Sequence, residues 1–172
     1  MTELFATHRM RFVEATEEDI PFIIAMEEAP ENRNFIWQGT VEQHRSEIAD
    51  PNHLLVIFVE KESNERVGYA LIGLNFKSEI FELRRIAIDK KGAGFGREAM
   101  LGFISYAFEQ RDTNRFWLDV YPDNTAGIRL YESLGMHRDG VLRENYKSER
   151  GYLDQIVYSI LRREYYERKR QG

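Results

Sequence analysis

The chain has 172 residues, no cysteine and a net charge of −5, from 24 lysines and arginines against 29 aspartates and glutamates. With 42% hydrophobic residues, 13% aromatics and only four prolines, it lies outside the disordered and collagen-like classes. The missing cysteine excludes a disulfide framework, a thiolate metal site and a thiol nucleophile, and the acidic balance argues against nucleic acid as a partner.

In chain order, His8 to Ala15 reads as a first strand. Thr16 then opens a short amphipathic helix that stops near Pro30, with Asp19 in the capping position three residues on. An irregular stretch, Glu31 to Gly39, carries Phe35, Ile36 and Trp37, and a second helix runs from Thr40 to Asp50. His53–Glu60, Arg66–Asn75 and Glu79–Ile88 follow as three strands separated by polar turns, the pattern of an antiparallel meander. Met100, Phe103, Ile104, Ala107 and Phe108 recur at helical spacing within Gly96–Gln110. Arg115–Tyr121 is a strand and Asp123–Leu134 a helix, closed by Gly135 in the position of a left-handed cap. Val141–Tyr146 and Tyr152–Leu161 are the last strands, before a basic tail from Arg162 to Arg170 that reads as a solvated terminal helix or cap. The expectation is a mixed α/β chain forming one domain over residues 1–172. The longest apolar run, Leu54 to Val59, is too short to span a bilayer, and Met1 to Met10 lacks the order of a signal peptide. A cytoplasmic protein without a membrane partner is therefore expected.

The most informative segment is Ile86-Ala87-Ile88-Asp89-Lys90-Lys91-Gly92-Ala93-Gly94-Phe95-Gly96-Arg97. It leaves a strand, passes three glycines at alternate positions and enters a helix. Free N–H groups at a helix N-terminus favour an anion, typically phosphate, and glycine lets a ligand approach the backbone closely. From Arg84 to Arg97 there are five basic residues and one acidic one, against the trend of the chain. Read alone, the segment also suits an ordinary glycine-rich turn. It does not fit the dinucleotide fingerprint, which needs glycine where Arg97 stands, nor the P-loop, which needs Gly-Lys-Ser/Thr.

The spacing Lys91-x-x-Gly94-x-Gly96 resembles the acyl-CoA motif of the GNAT N-acetyltransferases, Arg/Gln-x-x-Gly-x-Gly/Ala, with Lys91 as a departure. A second landmark, Leu118-Asp119-Val120-Tyr121-Pro122-Asp123-Asn124 followed by Leu130-Tyr131 and Leu134-Gly135-Met136, is similar to the strand–Asn–helix segment of that family. The resemblance covers roughly residues 8 to 161. It implies the GNAT fold, a mixed and mostly antiparallel sheet of about seven strands with helices on both faces. It also implies acetyl-CoA as the acetyl donor; the four histidines, His8, His44, His53 and His137, show no ligand spacing, so no catalytic metal is expected. Backbone groups of Ile86, Ala87 and Ile88 would then hold the pantetheine arm, Gly92 to Arg97 would cradle the pyrophosphate, and Asn124 would bond the cofactor. The hydroxyl of Tyr131 would sit beside the sulfur, where it can protonate the departing thiolate, since the ordinary pKa of a tyrosine, about 10, lies somewhat above that of a thiol.

Direct transfer requires an unprotonated amine, and a carboxylate or its bound water can take the proton. Glu82 resembles the glutamate used by some family members, and Asp119 stands where the ribosomal-protein alanine acetyltransferases carry a glutamate. Arg84 is expected to keep Glu82 ionised. Each residue also has an ordinary structural explanation: a core aromatic for Tyr131, a helix cap for Asn124, salt-bridged strand residues for Glu82 and Asp119. Phe35 to Trp37 could wall the acceptor pocket. The implied reaction is acetyl transfer to a primary amine, either a small molecule such as a polyamine or a basic peptide N-terminus. A non-catalytic acyl-CoA sensor with the same fold is the alternative. Homodimers are common in such folds, although no residue specifies one.

Overall fold

A computed structural model describes residues 2–172. Its strands are β1 (Glu3–Ala6), β2 (Met10–Glu14), β3 (His53–Glu60), β4 (Arg66–Asn75), β5 (Ile80–Ile88), β6 (Arg115–Val120), β7 (His137–Ser148) and β8 (Gly151–Leu161). Its helices are α1 (Ile20–Glu28), α2 (Val41–Ala49), α3 (Phe95–Gln110), α4 (Thr125–Ser133) and α5 (Arg162–Gln171). The strands form one sheet in the order β1-β2-β3-β4-β5-β6-β8-β7. Every pairing is antiparallel except that of β5 with β6.

Strand alternation sorts the side chains into two cores, one on each face of the sheet. Along β3, Val56 and Phe58 join Phe5, Phe12 and Phe103 under α3, while Leu55, Ile57 and Val59 meet Ile23 and Met26 of α1. The α3 side is rich in aromatics: Phe5 stacks on Phe12 with centroids 4.3 Å apart, and Phe12 meets Phe103 edge-on at 5.4 Å.

β5 changes faces partway along. Leu71 pairs with Arg85 and Ile72 with Leu83, so Arg84 is an extra residue in a β-bulge. Before the bulge, Phe81 and Leu83 face α3; after it, Ile86 and Ile88 pack on that core and Ala87 joins the other. The parallel ladder with β6 lasts only from Ile80↔Arg115 to Glu82↔Trp117. Beyond Glu82 the two strands part, because a bulged strand bends and gains twist.

Three expectations change. The sheet has eight strands rather than about seven, because the predicted strand His8–Ala15 is a hairpin arm, Met10–Glu14, preceded by β1. Its turn is closed by Thr7 N–H donating to Met10 C=O at 2.8 Å and contains neither glycine nor proline to announce it. The strand predicted at Val141–Tyr146 runs from His137 to Ser148. It is an edge strand with mostly exposed residues, so no apolar alternation marks its ends. The basic tail is the expected terminal helix, α5, but docked rather than solvated: Tyr165 stacks on Phe108 at 5.0 Å, and Arg168 donates to the carbonyls of Leu134 and Gly135.

Candidate active site

The glycine segment forms the turn between β5 and α3. Gly92 and Gly94 have φ of 79° and 81°, a left-handed conformation in which a side chain is strained. Gly94 is the N-cap of α3, and the first helical bond is Glu98 N–H to Gly94 C=O at 3.2 Å. The N–H groups of Phe95, Gly96 and Arg97 precede that bond and have no helical acceptor. Such a cradle fits a diphosphate.

The back of this turn is held by residues that sequence reading missed. Arg9 donates from Nη1 to Ala93 C=O at 2.9 Å and pairs through Nε with Glu98 at 2.7 Å. Its guanidinium lies 4.1 Å from the centre of the Phe95 ring, and Thr7 Oγ1 donates to Glu98 at 2.5 Å. Around Arg9 the sequence shows only a strand, and its partner Glu98 lies 89 positions away. Lys91, Gly92, Gly94, Phe95 and Gly96 line the cleft that the turn opens into. Ala93 and Arg97 do not; the Arg97 side chain turns to Ser133 Oγ at 2.8 Å.

That cleft, of about 890 Å³, runs between the diverging ends of β5 and β6. Ile86, Ala87 and Ile88 pair with β4 on one side, while their other backbone edge faces the cleft with no strand opposite. Asn124 caps α4, its Oδ1 accepting from Gly127 N–H at 3.0 Å. A Cβ on Gly127 would fall 2.9 Å from the Asn124 amide, so glycine there makes room for the cap. Among the described residues Asn124 Nδ2 donates to no protein group. The cap reading of Asn124 thus holds and leaves a donor for a ligand. Two turns along α4, Tyr131 also lines the cleft, and burial, with help from the charge of Asp119, pushes its hydroxyl up to about 12. A phenol of that kind stays protonated and serves as a firm hydrogen-bond donor.

Glu82 and Asp119 meet on the same stretch of cleft wall. Burial raises the Glu82 carboxyl above its ordinary value, and Asp119 adds to the rise. Arg84, 3.7 Å away through Nε, opposes the shift without overcoming it. Arg84, expected to keep Glu82 ionised, does favour the charged form, but desolvation outweighs this half-exposed guanidinium and the carboxyl is a stronger base than the pairing alone would make it. Asp119 is raised by burial too, against the charge of Arg84 and a hydrogen bond from Gln155 at 3.1 Å. Both carboxylates are stronger bases than free ones.

Phe35, Ile36 and Trp37, from the connection between α1 and α2, wall the opposite side. Beneath them lies a buried ionic network. His44 bonds Glu27 at 3.0 Å and Glu47 at 2.8 Å, Arg85 reaches both carboxylates, and Tyr69 donates to Glu27. Burial alone would lower His44, but the two glutamates lift it to about 9, so it is a cation at neutral pH. Trp37 is held between these cations: its ring is 4.4 Å from the Arg85 guanidinium and edge-on to His44 at 6.2 Å. Among the described residues no buried side-chain polar atom lacks a partner, and no cluster of His, Cys, Asp or Glu could hold a metal ion.

Residues 9–137 match the family model described as the acetyltransferase (GNAT) domain. An uncharacterised N-acetyltransferase of Bacillus licheniformis is 33% identical over 112 residues, covering 62% of this chain and 61% of the relative. A ribosomal protein bS18-alanine N-acetyltransferase of Escherichia coli is 35% identical over 80 residues, covering 45% of this chain and 53% of the relative. The chain thus spans between about half and three fifths of these relatives. Among solved structures, a mutant SpeG spermidine N-acetyltransferase of Vibrio cholerae superposes with a TM-score of 0.81 at 20% identity, over 94% of this chain and 98% of that one. A structure described as an acetyltransferase from T. thermophilus superposes with a TM-score of 0.79 at 22% identity, over 99% and 95%. The likeness in structure is one of fold. With three quarters of its length matched by the family model, the chain belongs to the GNAT acetyltransferase family.

Proposed function

We propose that the protein is an acetyl-CoA-dependent N-acetyltransferase that moves the acetyl group directly to a primary amine. The observation that carries this reading is the convergence, in one cleft, of an anion cradle, an unpaired strand edge, a phenol donor and two proton-accepting carboxylates. Acetyl-CoA would supply the thioester. Gly92 to Gly96 would hold its diphosphate, and Ile86 to Ile88 would pair with the pantetheine amides as a strand pairs with its neighbour. Asn124 Nδ2 offers one further donor.

Glu82, directly or through a water, takes the proton from the incoming ammonium. The freed amine forms the C–N bond as the C–S bond breaks, and the acylated nitrogen gives its remaining extra proton to the departing thiolate, leaving amide and free thiol. Strand amides near Ile86 to Ile88 donate to the thioester oxygen as it gains charge, and Tyr131 donates to the departing sulfur. A hydroxyl near 12 yields its proton reluctantly to a thiolate of ordinary pKa about 8.5. The main contribution of Tyr131 is thus a hydrogen bond that stabilises the thiolate. The absence of cysteine suits a route in which the acceptor brings the only nucleophile.

The acceptor end combines Glu82 and Asp119 with the rings of Trp37, Tyr121 and Tyr146, which suits a cationic amine. Both a polyamine and a basic peptide N-terminus have that character. Calorimetric titration with acetyl-CoA, followed by thiol release with polyamines, amino acids, aminoglycosides and basic peptides, tests the reading. Binding with turnover of a cationic amine is expected. Binding without turnover on any amine would mark a sensor, and no binding would remove the assignment of the glycine turn.

A further inference from the structure

Across the face of the sheet that carries Glu82, the register aligns His53, Gly73 and Glu82 in one row, His53 opposite Gly73 and Gly73 opposite Glu82. The middle position has no side chain, and the stem of Arg84 fills that space. A Cβ on Gly73 would fall 3.1 Å from Arg84 Cδ, and 3.5 Å from both Arg84 Cγ and Glu82 Oε1. Arg84, the extra residue of the bulge, folds back across the glycine and reaches His53, its Nη1 lying 3.3 Å from Nε2.

His53 is itself fixed. Its Nδ1 lies 2.9 Å from Asp50 Oδ2, and Asp50 is held at the end of α2 by Asn52 N–H donating to Oδ1 at 2.8 Å. A carboxylate at Nδ1 keeps the proton on that nitrogen, which leaves Nε2 as an acceptor for the guanidinium. The chain of contacts runs from Asp50 through His53 and Arg84 to Glu82, with Asp119 next across the cleft. We propose that the Asp50–His53 pair is a positioning device for Arg84, holding its guanidinium over Gly73 beside Glu82 and Asp119.

Pinning the cation matters because Arg84 is the largest influence opposing burial at both carboxylates. A free arginine this exposed would spread its charge into solvent; a tethered one sets how strongly each carboxylate holds a proton. The charged groups facing His53 are Asp50 from the end of α2 and Arg84 and Glu82 from β5. This inference rests on Glu82 being the proton acceptor of the proposed reaction.

The test reads Glu82 directly, by carbon NMR titration of protein labelled at the glutamate carboxyls, with the signal identified by its loss in Glu82→Gln. His53→Phe should raise the proton affinity of Glu82 by about tenfold, the lower end of what one adjacent charge contributes. Arg84→Gln should do the same, and the double variant should go no further than Arg84→Gln alone. His53→Gln, whose amide oxygen can accept from Arg84, should stay near the wild type. An unmoved Glu82 titration in folded His53→Phe, or a shift that adds to that of Arg84→Gln, would overturn the proposal. The acid limb of kcat/KM for the amine should move with the titration. A moving titration in a protein that acetylates no amine would support the positioning role while removing the enzymatic reading. Turnover with a static titration would do the reverse.

Discussion

The two ends of the cleft are built on different principles. At the glycine turn the binding groups are backbone N–H groups, exposed and shaped by two left-handed glycines. Beneath Trp37 the wall is held by charged side chains from α1, α2 and β5, buried and fully paired. The first can bind any ligand that presents phosphate to a helix end. The second excludes water and fixes one shape. A common donor and a selected acceptor call for this division: generality comes from backbone, selectivity from packed side chains.

The sharpest way to break the comparison is to remove Glu27, which His44, Arg85, Tyr69 and the Gly39 N–H all contact. Glu27→Ala leaves two cations short of a partner and should cost about 3–5 kcal/mol, read as a lower urea midpoint. Acetyl-CoA affinity at temperatures where the variant is folded should change little. A weakened cofactor site would show that the two ends are not separate.

The same network carries a pH signature. His44 is raised in the folded protein from 6.5 to about 9, so its contribution is complete below pH 6.5 and is lost as pH rises through 9. On the order of 3 kcal/mol should disappear across that window, and His44→Gln should flatten the slope of the urea midpoint between pH 6 and 10.

At the other end, Gly94→Asp places a Cβ at φ 81° and a negative charge at the anion cradle. At least about a hundredfold loss of acetyl-CoA affinity should follow, checked by calorimetry, with the urea midpoint falling far less than in Glu27→Ala. Tyr131→Phe should have the smallest effect. It removes one hydroxyl and keeps the ring that packs against Tyr158, so kcat should fall about tenfold with acetyl-CoA binding nearly unchanged. Full turnover in that variant would remove Tyr131 from the chemistry.

This division also explains what the sequence revealed. Gly92 and Gly94 stand close together in the chain, and their need for left-handed backbone leaves a local mark. Asn124 and Tyr131 share a helix, so their common side follows from spacing. Arg9 against Ala93, or His44 between Glu27 and Glu47, leaves no such mark, because each contact closes only when distant segments pack. The bulge at Arg84 was hidden for a related reason: a strand with one extra residue still reads as a strand, and only the register with β4 exposes the insertion. Without that register the row from His53 through Gly73 to Glu82 could not be drawn.

The parting of β5 from β6 has a consequence for handling the protein. A sheet normally leaves its unsatisfied N–H and C=O groups at its rim, where they invite pairing with another chain. Here a second such edge lies inside the sheet, along Leu83 to Ile88. A ligand that pairs with it closes an aggregation-prone seam as well as filling a pocket. Solubility and melting temperature should therefore rise with donor concentration in the manner of any ligand that binds only the folded state.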